Sequence, residues 1–175
     1  MKFIFKSLLY TLFLLFTVVI FLPKSNIFYF LERQLQLKSI IVTDENINSG
    51  LFDFNMNEST IIYEKNKFAK VENMQLKTYV FYNTLELKNI EILDKFTKQY
   101  PIKTKELTIN YSVLNPLSID IKAVGDFGSV TGKVDLVKQK INYVLKASKN
   151  MKKNYRKILR KMKQKKGEYI YEQQL

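Results

Sequence analysis

The chain has 175 residues and a net charge of +13, and it contains no cysteine and no histidine. Without cysteine there is no disulfide and no thiolate chemistry, and without histidine the usual general base and the commonest metal ligand are missing. This composition argues against most nucleophilic and metal-dependent enzymes, and we expect no cofactor.

The first segment of the chain is strongly apolar. Residues Ser7 to Leu22 contain no charged side chain, and Phe3 to Phe5 extend the apolar run past Lys6. An α-helix needs about 20 apolar residues to span a bilayer, and a lysine near a helix end can reach the headgroups. The sequence therefore predicts a transmembrane anchor over residues 1–24.

A cleaved signal peptide is the alternative interpretation of this segment. Signal peptides end in small residues at the cleavage site, whereas Ile20 to Leu22 are bulky, and no lipoprotein cysteine follows. An uncleaved anchor is favoured. Because Lys2 and Lys6 precede the apolar run, the N-terminus is predicted to be cytoplasmic and the following domain, in a bacterium, periplasmic.

A short amphipathic segment follows Pro23. Ile27, Leu31 and Leu35 recur at four-residue spacing, and Asn26 is a favourable N-cap. We predict a juxtamembrane amphipathic helix within residues 25–37. It either lies close to the membrane surface or connects the anchor to the domain.

From residue 38 the apolar period changes from four to two. Apolar and polar side chains alternate in about nine short segments between Lys38 and Ala147, and no helical pattern separates them. Such a series predicts an antiparallel meander. The phase of the alternation slips at Lys88-Asn89, which suggests a β-bulge.

The predicted fold is mainly β, with a domain over residues 38–175 built on a curved antiparallel sheet, either an open half-barrel or a sandwich. A sheet with one apolar face must curl, pack on a second sheet or hold an apolar ligand. The candidate residues for an apolar ligand face are Leu107, Ile109, Tyr111, Leu117, Ile119, Ile121, Ile141 and Tyr143.

A basic amphipathic helix is predicted over residues 149–165. Gly167 is expected to stop it before a final strand at residues 168–172. Its apolar stripe consists of Met151, Tyr155, Ile158, Leu159 and Met162.

The same segment concentrates the charge of the chain, because Lys149 to Lys166 contain ten basic residues and no acid. Its charged face is expected either to bind anionic headgroups or to be a solvated outer face; nucleic acid is not an expected partner, given the predicted compartment. The candidate residues for binding an anionic surface are Lys152, Lys153, Arg156, Lys157, Arg160 and Lys161.

Two further patterns receive structural interpretations. The glycines of GDFGSVTG, residues 125–132, are predicted to lie in tight turns or bulges, because strands rather than a strand and a helix flank them. Asp120, Asp126 and Asp135 form the closest group of carboxylates, but they alternate with apolar residues and are expected on the solvated face. We therefore predict neither a catalytic nor a metal site.

Two stretches resemble a known family. The segments YNTLELKNIEI and INYSVLNPLSIDIKAVGDFGSVTGKVDL, with the N-terminal span and the late basic helix, resemble small bacterial envelope proteins related to type II secretion protein N and to AsmA-like domains. The resemblance implies a Gram-negative inner membrane, a periplasmic, highly curved sheet with an apolar inner face, and no catalytic residues. It also implies a role in secretion or in lipid and outer-membrane homeostasis.

The expected function is therefore a non-enzymatic, membrane-anchored envelope component whose apolar sheet face holds lipid, with envelope or secretion-system proteins as further partners. The alternatives are a scaffold that binds a protein partner without lipid, and an envelope enzyme with a carboxylate site that the sequence does not reveal.

Overall fold

The fold is a single open antiparallel sheet. The computed structural model describes residues 2–21, 24–43, 46–50, 53–79, 81–93 and 103–174. All eleven strands within them belong to one sheet, so the predicted mainly β, antiparallel architecture is confirmed. Leu22-Pro23, where the anchor was predicted to end, and Tyr100-Pro101, in a predicted loop, lie outside the described residues.

The chain begins with two helices and continues with nine strands. The helices are α1 (Lys2–Phe21) and α2 (Lys24–Gln36). The strands are β1 (Ile40–Thr43), β2 (Asn46–Ser49), β3 (Asp53–Tyr63), β4 (Asn66–Thr78), β5 (Tyr82–Ile92), β6 (Lys103–Ser112), β7 (Ser118–Gly125), β8 (Gly128–Asp135) and β9 (Lys140–Ala147).

Two short helices and two strands complete the chain. They are α3 (Lys149–Asn154), α4 (Arg156–Leu159), β10 (Lys163–Lys165) and β11 (Glu168–Gln174).

Strand order follows chain order almost everywhere. Each of β3 to β9 pairs with the next strand along the chain, β11 pairs with β9, and β10 lies outside β11. β1 and β2 both pair with β3, and the pairs Thr43–Thr60 and Asn46–Asn57 have the same register. The two short strands therefore occupy one edge of the sheet, and the fold is a meander, as the short turns predicted.

The helix α1 exposes most of its apolar side chains. Exposed members include Phe3, Ile4, Phe5, Leu8, Leu9, Leu12, Phe13, Leu14, Leu15, Phe16, Val18 and Phe21. Among the described residues, no helix meets the criteria of length and apolarity for a membrane span.

One face of the sheet is apolar because cross-strand partners in an antiparallel sheet point to the same side. One row of partners, from β3 to β11, is Phe54, Leu76, Leu85, Ile109, Ile121, Gly132, Tyr143 and Tyr171. The adjacent row is Met56, Met74, Leu87, Leu107, Ala123, Val130, Leu145 and Tyr169. A third row, from β6 to β9, is Tyr111, Ile119, Val134 and Ile141. We call these three rows the apolar face.

The predicted slip at Lys88-Asn89 belongs to a line of interruptions that crosses four strands. Pairing skips Glu58 on β3, Glu72 on β4 and Asn89 on β5, although the register is unchanged on either side of them. Lys105 on β6 ends the line, where the β6–β7 register shifts by one residue. Glu58 and Asn89 have φ values of 59° and 51°. We call this line the crease.

The crease keeps the same face apolar along the full length of the strands. On β5, Leu85 and Leu87 precede it and Ile90 follows it, and all three pack in one cluster despite the change of phase. Asn89 donates a hydrogen bond from Nδ2 to Oε2 of Glu72 at 2.6 Å, which holds two interrupted residues together. Asn is among the residues that best tolerate a positive φ.

Two hydrophobic clusters lie at opposite ends of the apolar face. The first contains Phe54, Met56 and Val71, which are fully buried, and α2 contacts its strands β1 and β3. The second forms where α3 and α4 pack on β9, with Leu145, Met151 and Leu159 at its centre. The opposite face of the sheet is polar and carries cross-strand ion pairs.

The ion pairs join side chains of opposite charge on neighbouring strands. Lys140 Nζ lies 2.8 Å from Glu172 Oε2, and Lys77 Nζ lies 3.2 Å from Glu86 Oε1. The hydrogen bond and charge of Lys140 hold the pKa of Glu172 below its ordinary value. Surface pairs such as Lys140–Glu172 contribute little stability each, so burial on the apolar face dominates.

The C-terminal segment departs from the predicted single helix over residues 149–165. The helix breaks at Tyr155, with φ −121° and ψ 35°, and residues 163–165 form β10 instead. Gly167, at φ 82°, lies in the β10–β11 turn and does not stop a helix, so that prediction is wrong. The KQK sequence of β10 has no apolar residue that could extend the helical stripe, and pairing with β11 satisfies its backbone.

Two other boundaries differ from the sequence prediction. α2 begins at Lys24, so Asn26 is inside the helix and is not its N-cap. The final strand extends to Gln174 rather than residue 172, because pairing with β9 continues to Lys140.

Burial predicts which phenylalanine stabilises the sheet. Phe54→Ala should lower the free energy of unfolding by about 3–5 kcal/mol, because it removes a fully buried ring from the first cluster. Phe30→Ala is the matched control, since Phe30 is 61% exposed on α2 and its truncation should change stability by about 0.5 kcal/mol or less. Chemical denaturation followed by circular dichroism measures both values; equal effects would contradict this account of the core.

Candidate functional site: an apolar face and a basic cleft

The middle of the apolar face, on β6 to β9, lies between the two clusters. Six of the eight residues predicted for the ligand face are half-buried here and belong to neither cluster among the described residues. These six are Ile109, Tyr111, Ile119, Ile121, Ile141 and Tyr143. Ile109 pairs with Ile121, and Tyr111 pairs with Ile119, so their side chains adjoin on one side of the sheet.

The other two predicted residues lie elsewhere. Leu107 packs against the first cluster and so belongs to the core side of the face. Leu117 precedes β7 in the β6–β7 turn and is 56% exposed, so its assignment to a strand face is wrong. The turn extends to Ser118, whose N–H donates to the carbonyl of Asn115 at 3.3 Å, and alternation alone does not mark that boundary.

A glycine opens space for an aromatic ring on the apolar face. Gly132 pairs with Tyr143, and a Cβ at Gly132 would lie 2.9 Å from Cδ1 of Tyr143. The Tyr143 ring stacks on Tyr171, with centroids 6.5 Å apart and an angle of 18° between the planes. The row therefore ends at β9 and β11 in two stacked rings over a glycine.

The glycine-rich segment forms turns and strands. Gly125 and Gly128 flank the two-residue turn between β7 and β8, and Gly128 has φ 109°. Phe127 in this turn packs into the second cluster, and its carbonyl accepts the N–H of Ser148 at 2.9 Å. The segment therefore positions the start of α3, in agreement with the predicted tight turn.

The sequence of α3 and α4 places its apolar residues on the sheet. The Ser148 hydroxyl accepts the N–H of Met151 at 3.0 Å and so caps α3. Met151 and Leu159 are buried, and Tyr155, Ile158 and Met162 pack around them. All six predicted cationic residues are exposed.

Only half of the predicted cations line a cleft. Lys152, Arg156 and Arg160 border a cleft of about 350 Å³ beside α4. Its other lining residues are Leu159, Met162, Gln164 and Tyr169. We call this the basic cleft. Lys153, Lys157 and Lys161 do not line it.

The basic cleft lies next to the apolar face. Tyr169 lines the cleft and pairs with Leu145 in the second row of that face. Tyr171, two residues farther along β11, pairs with Tyr143 in the first row. Successive residues on one side of a strand are about 7 Å apart, so cationic and apolar surfaces adjoin at β11.

Sequence reasoning did not assign Gln164 and Tyr169 to any site. Tyr169 follows the helical stripe in the sequence, and its pattern predicts only a final strand. Its position beside the cations depends on the β9–β11 register, which is a long-range property. The alternation of Tyr169 with Ile170 was the available signal, since it puts Tyr169 and Tyr171 on one side.

The carboxylates Asp120, Asp126 and Asp135 do not form a catalytic group. Asp120 lies on the polar face with Oδ1 4.0 Å from Nζ of Lys133, and Asp126 lies in the β7–β8 turn at the other end of the strand. Asp135 accepts the backbone N–H groups of Val137 and Lys138 at 3.1 and 2.9 Å and so holds the β8–β9 turn. In the described ranges, no group of three possible ligands could hold a metal ion.

Comparison with known proteins adds no further constraint on the site. No family model, no curated protein and no solved structure matches this chain. The function is therefore inferred from the geometry of the apolar face and the basic cleft.

The turn at Asp135 predicts a dependence of stability on pH. The N–H of Lys138, more than its charge, lowers the pKa of the Asp135 carboxyl below its ordinary value of 3.8. Its ionised form therefore stabilises the fold above that value, and this contribution disappears as the pH falls through the lowered pKa.

The variant Asp135→Asn tests this sign. Wild type should be more stable than D135N near neutral pH, and the difference should shrink as the solution is acidified below the ordinary value. Thermal or chemical denaturation across the pH series measures it, with an NMR titration of the Asp135 carboxyl as an independent reading. Parallel stability curves for the two proteins would show that the carboxylate charge does not support the turn.

Proposed function

We propose that this chain is a non-enzymatic, membrane-anchored protein of the bacterial envelope that holds an acidic lipid on its sheet. The acyl chain lies on the apolar face, the acidic group lies in the basic cleft, and residues 1–24 anchor the protein. In this proposal the N-terminus is cytoplasmic and the sheet is periplasmic. The family resemblance points to the same role in secretion or in lipid and outer-membrane homeostasis.

The observation on which the proposal depends is the uncovered middle of the apolar face. Ile109, Ile121 and Tyr143 lie in one continuous row, and within the described part of the chain neither hydrophobic cluster covers them. Burying each such side chain under an acyl chain gains roughly 25 cal/mol per Å² of apolar surface removed from water. A flexible hydrocarbon fits a face of aliphatic side chains with no fixed polar partners.

The position of the cations supports an acidic ligand. Lys152, Arg156 and Arg160 lie at the end of the face next to Tyr169, and no acid lies between residues 149 and 166. Hydrogen bonds from a guanidinium to a phosphate or carboxylate are about twice as strong as neutral ones. The floor of Leu159 and Met162 suits the first methylenes of the same ligand.

The exposure of α1 supports the anchor. Phe3, Leu8 and Phe13 are examples of apolar side chains that α1 leaves uncovered, and Ser7 to Phe21 contain no charge. A contiguous apolar surface of this kind marks an interaction site rather than a surface in water. Lipid is an environment that matches these exposed apolar side chains.

A scaffold that binds a protein strand is the second candidate. The sheet is open, with β1 and β2 at one edge and the three-residue β10 covering only part of β11 at the other. A partner strand could add to the uncovered half of β11 by backbone hydrogen bonds. An enzyme with a carboxylate site has no geometric support from Asp120, Asp126 and Asp135.

Co-purified lipid provides the main test. The full chain extracted in mild detergent should retain acidic lipid, detectable by mass spectrometry after washing. Ile109→Gln combined with Ile121→Gln should lower the amount of retained lipid several-fold, because this cross-strand pair lies in the middle of the face.

The matched control changes the neighbouring cross-strand pair on the polar face. Thr108→Gln combined with Lys122→Gln alters the same two strands one residue away and should leave lipid retention unchanged. Circular dichroism and thermal unfolding verify that both variants fold. Equal retention by the two double variants, or no lipid in the wild type together with a stable protein partner in pull-downs, would favour the scaffold.

A second pair of variants tests whether acidic lipid is held by the basic cleft itself or by the overall positive charge of the segment. Lys152, Arg156 and Arg160 line the cleft, whereas Lys153, Lys157 and Lys161 do not. Replacing either trio with Gln removes three positive charges. Replacing the three cleft residues should weaken retention of acidic lipid and leave retention of neutral lipid unaffected. Replacing the other three should have little effect on either. If both trios reduce binding equally and salt abolishes the difference from wild type, the segment acts only as a diffuse positive surface.

A further inference from the structure

Three turns at one rim of the sheet carry large, exposed apolar side chains. In a meander, alternate turns emerge at the same end of the strands. The turns β4–β5, β6–β7 and β8–β9 therefore share one rim, and they contribute Phe81, Leu114, Leu117 and Val137. These side chains are 52%, 81%, 56% and 65% exposed, respectively. We call this the apolar rim.

Backbone hydrogen bonds connect the turns of the apolar rim to one another. The N–H of Val113 donates to the carbonyl of Phe81 at 3.0 Å, and the N–H of Leu136 donates to the carbonyl of Leu117 at 3.0 Å. The turn sequences at residues 79–82, 113–117 and 136–139 contain one lysine and no acid. Asp135 borders the last of these turns, where its carboxylate accepts two backbone N–H groups. An apolar rim of this kind is an unusual surface to leave in water.

The apolar rim adjoins α1. Phe81 lines an apolar cleft of about 400 Å³ together with side chains of α1 that include Leu12, Phe13 and Phe16. The rim and the apolar helix are therefore neighbouring parts of one apolar surface, although they are far apart in sequence.

The opposite rim has a different chemistry. Its turns contain Glu64-Lys65, Asp126-Phe127 and Lys166-Gly167, and α3 starts there at Ser148. Strands β7 and β8 have eight residues each, which separates the two rims by about 27 Å. The sheet is therefore polarised along its strands, apolar at one end and charged at the other.

We propose that the apolar rim inserts into the surface of the bilayer that holds α1, so that the sheet stands on the membrane by its β4–β5, β6–β7 and β8–β9 turns. The bilayer is the occupant because the apolar rim adjoins α1 and its exposed side chains are apolar. The one acid beside these turns, Asp135, uses its carboxylate to accept the backbone N–H groups of Val137 and Lys138. Apolar side chains at such an interface are buried to a depth of about 5–10 Å. The proposal rests on the proposed function only for the anchor.

This orientation has a consequence for the basic segment. The cations of α3 and α4 lie toward the far rim, and surface charges are screened within about 10 Å at 0.1 M salt. They therefore do not interact with the headgroups of the membrane beneath the apolar rim. Their acidic partner is the ligand in the basic cleft, not the bilayer that holds α1.

The absence of cysteine from the chain makes a direct test possible. Leu114→Cys and Val137→Cys place a nitroxide label on two turns of the apolar rim, in the full chain reconstituted in bilayer nanodiscs. Asp126→Cys labels the opposite rim, and Leu12→Cys labels α1. Collision with oxygen, which concentrates in lipid, and with a nickel chelate, which stays in water, measures the environment of each label.

Labels at Leu114 and Val137 should show an oxygen-to-nickel collision ratio several-fold above that of the Asp126 label. A ratio equal to that of Asp126 at both positions overturns the proposal. Labels shielded from both reagents also overturn it, because a second copy or a protein partner then covers the rim. The Leu12 label distinguishes insertion of the apolar rim from anchoring by α1. If the Leu12 label is exposed to lipid and the rim labels are exposed to water, only the insertion of the rim is refuted. If the Leu12 label is exposed to water, the anchor is refuted.

Discussion

The structure depends on one constraint: a sheet whose side chains alternate must cover its apolar face. Cross-strand register aligns the apolar residues of β3 to β11 into rows, so the face is continuous from Phe54 to Tyr171. The first cluster covers one end and α3 and α4 cover the other. The rows between them supply the apolar surface on which the proposed function depends.

The crease shows how the chain maintains that face over long strands. One residue is skipped in each of β3, β4 and β5, at Glu58, Glu72 and Asn89, so the three strands change phase together and stay in register. A left-handed residue in a strand costs of order 1 kcal/mol or more. The alternative would turn Ile90 and Val71 to the polar side, and burying such side chains stabilises by about 1.5–3 kcal/mol each.

Charge and apolarity are separated along the strands as well as between the two faces. The turns at one rim are apolar and adjoin α1, while the basic segment lies toward the other rim. This arrangement follows from the meander, which gathers alternate turns at one end. Three cations of the basic segment thereby adjoin Tyr169 on the apolar face.

The sequence by itself determined the antiparallel, mainly β fold, the phase slip at Asn89 and the apolar stripe from Met151 to Met162, because each depends on local periodicity. It did not determine the end of the basic helix, since the three-residue β10 has no apolar pattern and exists only by pairing with β11. Tertiary structure alone decided that Leu114 and Val137 share a rim with Phe81, and that Tyr169 adjoins three cations. Those neighbours are set by strand register, which no local pattern encodes.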